Sequence, residues 1–199
     1  MVRTCIYIEG GGESKDLRVQ CRQGFRLLLE RCGFSGRMPR LVACGPRSEV
    51  YSDFKTAHQN SEAGYAAMLI DSEEPVSNME KTWDHLKKRD SWGQPVGAHD
   101  EQVLFMTTCM ETWIVSDRDT LKEHYGSNLQ ESALPSLTDL EERNRHVIQD
   151  SLEHATRKCS NAYRKGKRSF EILGKLKPAT MESHLPSFWR AKRILNNKL

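Results

Sequence analysis

The sequence predicts an α/β fold, a mainly parallel sheet flanked by helices and followed by a helical C-terminal extension. Three observations carry this reading. Short runs of β-branched and aromatic residues alternate with segments of helical periodicity through the first 125 positions. Glycine, proline or an acid punctuates the end of each apolar run. Past residue 126 the strand signals weaken and helical patterns remain. Strand–helix–strand repetition implies parallel pairing with right-handed crossovers.

The elements follow in order. Residues 3–8 are β-branched and aromatic and stop at Glu9-Gly10-Gly11-Gly12, as a central strand would. Residues 15–32 place Leu17, Cys21, Phe25, Leu28 and Leu29 at helical spacing, with Gly33 as the stop. Residues 39–44 (PRLVAC) read as a short buried strand before a Gly45-Pro46 turn. A helix is expected over 48–58, with Val50, Tyr51, Phe54 and Ala57 on one face. Residues 65–70 (YAAMLI) form a third strand ending at Asp71. A short helix over 79–88 and a Gly/Pro loop over 90–100 lead to a fourth strand, 102–108. One helix is expected over 111–125, with Trp113, Ile114, Leu121 and Tyr125 as its apolar positions. A loop over 126–137 precedes helices near 140–158, 170–176 and 186–195.

The 199 residues suit an α/β core over 1–125 with a basic helical extension, 126–199, packed on it. Net charge is +3 and mean hydropathy −0.67. No run approaches the ~18 apolar residues of a membrane span. The N-terminus enters a strand at once, unlike a signal peptide. The six cysteines form no C-x-x-C pair, so buried thiols in a reducing, cytoplasmic compartment are expected rather than a zinc site. The tryptophans Trp83, Trp92 and Trp113 are expected in the core.

Ligands of parallel α/β sheets bind beyond the carboxyl ends of the strands. Two strands here end in acid: the first at Glu9, with Glu13 after the glycines, and the third at Asp71, with Glu73 two residues on. Adjacent strands lie ~4.8 Å apart, so these carboxylates are placed to share a hard cation such as Mg²⁺ or Mn²⁺. Glu111, at the junction of the fourth strand and the next helix, is a further candidate ligand. Asp117 falls on another face of that helix. Singly, each acid also suits helix capping.

The glycine run completes neither a P-loop nor a Rossmann fingerprint. It still permits close approach of a phosphate backbone to a helix N-terminus at Gly11, with Lys15 assisting by charge. Arg157, Lys158, Arg164, Lys165, Lys167 and Arg168 crowd together around Tyr163 with no acid among them. That composition suits a nucleic-acid footprint as well as a solvated helix end. Such a footprint belongs on the same side as the acids. The histidines are scattered, and His99 beside Asp100 is the one expected as a general base.

The run Ile6-Tyr7-Ile8-Glu9-Gly10 resembles the first motif of TOPRIM domains, the Rossmannoid catalytic modules of topoisomerases, primases and certain nucleases. Ile70-Asp71-Ser72-Glu73 resembles their second motif, with Glu73 in place of an aspartate. The resemblance implies a TOPRIM-like sheet, Mg²⁺ held by Glu9, Asp71 and Glu73, and phosphoryl-transfer chemistry. The runs EGGGESKDLR, GRMPRLVACG, LIDSE, CMETWIVSDRDTL and KGKRSFEIL resemble an uncharacterised bacterial family over nearly the whole chain. That likeness implies genes beside ATPases of the ABC or AAA type in phage-defence operons.

The expected function is therefore a Mg²⁺-dependent nuclease acting on DNA or RNA with a partner ATPase. The metal would activate water and polarise the phosphate, with Lys165 stabilising the transition-state charge and Arg164 and Lys167 holding substrate. The alternatives are a non-catalytic TOPRIM-like partner-binding subunit and a nucleotide-binding phosphotransferase. A homo-oligomer fits any of the three.

Overall fold

The computed structural model describes residues 4–60 and 64–199. Arg3, expected in the first strand, lies outside the described residues. Strands β1 (Thr4–Glu9), β2 (Arg40–Gly45), β3 (Tyr65–Asp71) and β4 (Val103–Met106) form one sheet of order β2-β1-β3-β4, parallel throughout. Ile8 stands opposite Ala43 and Leu69, and Asp71 opposite Met106. Side chains alternate between two cores with period two. Ile6, Ile8, Leu69, Leu104 and Met106 enter the larger core, while Met68, Ile70, Val103 and Phe105 enter the smaller.

Helix α1 (Lys15–Leu29) covers the larger-core face with Cys21, Phe25 and Leu28. Ser14 caps it, and it ends in a π turn (Glu30–Phe34) where Gly33 takes a φ of 91°. Helices α2 (Arg47–Asn60) and α3 (Thr82–Asp90) cover the opposite face through Val50, Phe54, Trp83 and Leu86. Trp83 and Trp113 are core residues as expected, and Trp92 stacks on Tyr51 with ring centroids 4.4 Å apart.

The helix expected over 111–125 is two. Helix α4 (Met110–Ser116) stops at Asp117, and α5 (Arg118–Tyr125) starts there. The Asp117 carboxylate accepts from Thr120 N at 3.1 Å, Thr120 Oγ1 at 2.7 Å and Lys177 N at 2.7 Å. A fully buried carboxylate so bound is a structural cap, and an unbroken helix would leave it no donors at its own N-terminus. Helices α6 (Arg145–Thr156), α7 (Lys167–Leu173), α8 (Pro178–His184) and α9 (Pro186–Lys198) complete the chain. The sequence did not announce α8, because only Met181 of its seven residues is buried and no apolar period is visible.

The extension shares the larger core. Phe170, Ile172, Phe188 and Ile194 join the same buried cluster as β1 and α1. Close approach of α1 and α7 depends on Gly24, where a Cβ would stand 2.5 Å from the Phe170 carbonyl oxygen. That contact brings the start of α7 to the carboxyl end of the sheet. Among the described residues, no helix is long and apolar enough to cross a membrane.

The strand order fixes where a ligand would lie. From β1 the chain moves outward to β2 and then returns across β1 to β3. The direction of winding reverses between β1 and β3, and a crevice opens at such a switch point beyond the strands' carboxyl ends. Glu9 ends one of these strands and Asp71 the other.

Candidate metal centre

One carboxylate oxygen from each of Glu9, Asp71 and Glu73 lies within 4.8 Å of the other two. Asp71 is buried, at 7% exposure. Its backbone N–H donates to Glu9 Oε2 at 3.1 Å, and its own Oδ1 accepts from Met110 N at 2.8 Å. The sequence placed Asp71 at a strand end and allowed a capping role. The structure buries it there as an acceptor at the first turn of α4.

Burial raises the pKa of Asp71 well above the usual carboxylate range, and the charges of Glu9 and Glu111 push the same way. Lys165 and the Met110 N–H oppose the shift. Glu9 is raised too, chiefly by burial, against the pull of Arg47 and Lys165. Neighbouring carboxylates thus add to the cost of burial at Asp71, whereas at Glu9 burial alone outweighs two favourable cations. All three acids offer hard oxygen donors. Two oxygens bound to one Mg²⁺ at ~2.1 Å are at most ~4.2 Å apart, close to the spacing seen here. Donor type and charge therefore fit Mg²⁺ or Mn²⁺.

Arginines unseen by sequence reasoning complete the electrostatics. Arg47 stands 3.6 Å from Glu9 Oε2, donates to the Asp71 carbonyl, and pairs with Asp90 at 2.8 Å. Glu73 takes a φ of 70° and pairs with Arg89 at 3.3 Å and with Arg145. A signal for Arg47 existed, since it directly follows the Gly45-Pro46 turn at the carboxyl end of β2. Arg89 on α3 and Arg145 on α6 carry no such mark.

A cavity of about 300 Å³ opens on Glu9, Asp71, Glu111 and Lys165, with the glycines as one wall. Glu73 does not line it, because its carboxylate is turned to its arginines. Gly11 lines it at a φ of 82°, where a Cβ would meet Arg18 Cα at 2.7 Å. Glu111 is buried and held by Tyr163 Oη at 2.5 Å and Gln149 Nε2 at 3.2 Å.

Several expectations are corrected. Tyr163, read as a base-stacking aromatic, is buried with its hydroxyl on Glu111. Of the basic run, Arg164, Lys165 and Lys167 are all exposed, and of these three only Lys165 lines the cavity. Glu13 and Lys15 are likewise exposed and outside the cavity lining. His99 precedes β4 and so sits at the amino end of the sheet, opposite the acids. It is not placed to act as their general base.

Fold and site together define an α/β protein that gathers carboxylates at the switch point of a parallel sheet. The chain belongs to the family described as domain of unknown function (DUF4276), whose model matches residues 8–191. No curated protein and no solved structure matches it significantly.

Proposed function

We propose that this chain is a Mg²⁺- or Mn²⁺-dependent nuclease with a TOPRIM-like core, acting in antiphage defence with a partner ATPase of the ABC or AAA type. The observation that supports this reading best is the pairing of half-buried Glu9 with buried Asp71 at the switch point, with Lys165 on the same cavity. Glu9 and Asp71 would hold the ion, with Glu73 joining on release from its arginines. Bound there, the ion would lower the pKa of a water and polarise the scissile phosphate. Lys165 faces the same space and is placed to meet phosphate charge. Gly10, Gly11 and Gly12 offer a wall without side chains, along which a nucleic-acid backbone can approach closely. Arg47, tied to Asp90, keeps Glu9 oriented.

One observation favours the non-catalytic alternative. Glu73 is already neutralised by Arg89 and Arg145, as in a structural ion-pair network. Cleavage of labelled DNA and RNA in Mg²⁺ or Mn²⁺, with and without a candidate partner ATPase, separates the two readings. Metal-dependent cleavage lost in Glu9→Gln supports the nuclease. No cleavage by the wild type under any of these conditions overturns it in favour of a partner-binding subunit.

A further inference from the structure

We propose, on the nuclease reading above, that Arg89 and Arg145 together bind a phosphate of the nucleic acid, in the place that the Glu73 carboxylate fills in the free chain. A guanidinium recognises a carboxylate and a phosphate through the same fork of donors. Glu73 pairs with Arg89 at 3.3 Å and with Arg145. The two arginines reach it from different helices, α3 and α6. Their side chains stay 24% and 31% exposed, so an anion from solvent can reach both. Arg89 has a second acid, Asp90, whereas among the described residues Arg145 pairs with Glu73 alone.

The charge balance makes the exchange. Glu73 also has an oxygen within 4.8 Å of oxygens on Glu9 and Asp71, so its arginines are neighbours of the metal centre. Glu73 cannot serve the centre and both arginines alike. Once it turns to the centre, two guanidiniums are left beside a like charge, a repulsion that an anion between them removes. Glu9, Asp71, Glu73, Asp90 and Glu111 stand against Arg47, Arg89, Arg145 and Lys165, one acid more than bases. With these acids ionised, a divalent ion turns that excess into a single positive charge. One phosphodiester matches it.

The surroundings suit a polymer rather than a free anion. Arg89 lines a polar cleft of about 470 Å³ in which Lys81 and Lys88 also take part. These bases outnumber the acids of the cleft, Glu74 and Asp84. Arg89 therefore joins the metal centre to a surface on which flanking phosphates can lie.

Fluorescence anisotropy of a short labelled single strand, as DNA and as RNA, tests this on the full chain in chelator. Glu73→Gly vacates the place. Its φ of 70° is one that glycine adopts freely, and the backbone N–H keeps its bond to the Thr108 carbonyl at 2.8 Å. Glu73→Gln removes only the charge. Both variants, shown folded by thermal melts, should bind about tenfold more tightly than the wild type, the effect of one charge-assisted hydrogen bond. The slope of log K against log salt should steepen by about 0.7, the increment for one phosphate of a single strand. Arg145→Gln added to Glu73→Gly should remove the gain. Glu153→Gln makes the same change of charge at an exposed position lining neither cavity, and should gain little. No gain in either Glu73 variant overturns the proposal, as does a gain that survives Arg145→Gln or is matched by Glu153→Gln. Because binding is read without metal, a wild type that never cleaves would overturn the nuclease reading and leave a gain here assigned to the arginines.

Discussion

The backbone N–H of Asp71 donates to the carboxylate of Glu9 at 3.1 Å, joining the ends of β3 and β1 across the switch point of the sheet. This bond orients the Glu9 carboxylate, while the Asp71 carboxylate is held separately by the Met110 N–H.

Asp71→Asn should abolish metal-dependent cleavage while keeping the fold. The amide retains an acceptor for Met110 N–H, so the first turn of α4 survives. Asp71→Ala loses that acceptor and should cost an additional ~1 kcal/mol, the usual worth of a capping bond. Cleavage of labelled DNA and RNA, run beside thermal melts of both variants, checks this. An Asn variant cutting at the wild-type rate removes Asp71 from the mechanism.

Mg²⁺ or Mn²⁺ should stabilise the wild type and not Asp71→Asn. At a hundred times its Kd, a ligand of the native state contributes about 2.7 kcal/mol. For a chain of this size that is a rise in Tm of about 5–10 °C. Melts with and without chelator measure it. Equal shifts in both proteins would place the ion elsewhere.

Lys165→Met should lower cleavage by roughly 10²-fold, the scale of removing one stabiliser of developing charge. Lys167→Met, at an exposed position off the cavity, should change it little. Single-turnover rates of the two variants decide between a positioned lysine and a diffuse basic surface. Equal losses would favour the diffuse surface.

Glu141 gives the stability a pH dependence. Its pKa rises from 4.5 to about 7 on folding, so the folded chain binds the proton more tightly than the unfolded one. Stability is then highest below pH 4.5 for this group and is lost as pH rises through 7, by roughly 3 kcal/mol in all. Glu141→Gln should flatten that slope while still accepting from Ser187 N. Urea titrations across this window measure the difference. An unchanged slope in the variant would assign it to other groups.

The sequence by itself determined the parallel α/β architecture, because alternation and helical periodicity are local and each run carries its own stop. It also placed Glu9 and Asp71 at strand ends, where a parallel sheet of any order presents them on one edge. The tertiary structure decided which groups meet them. Arg89 and Arg145 reach Glu73 from α3 and α6, Tyr163 reaches Glu111 across 52 residues, and Lys165 rather than Lys167 enters the cavity. His99 precedes β4 and so lies at the amino edge, which the order of loop and strand in the sequence already implies. The role of Asp117 needed the tertiary structure, since its third donor is the N–H of Lys177, sixty positions away. Such pairings depend on strand order and on how tightly α7 docks at Gly24, and those properties arise only when the whole chain packs at once.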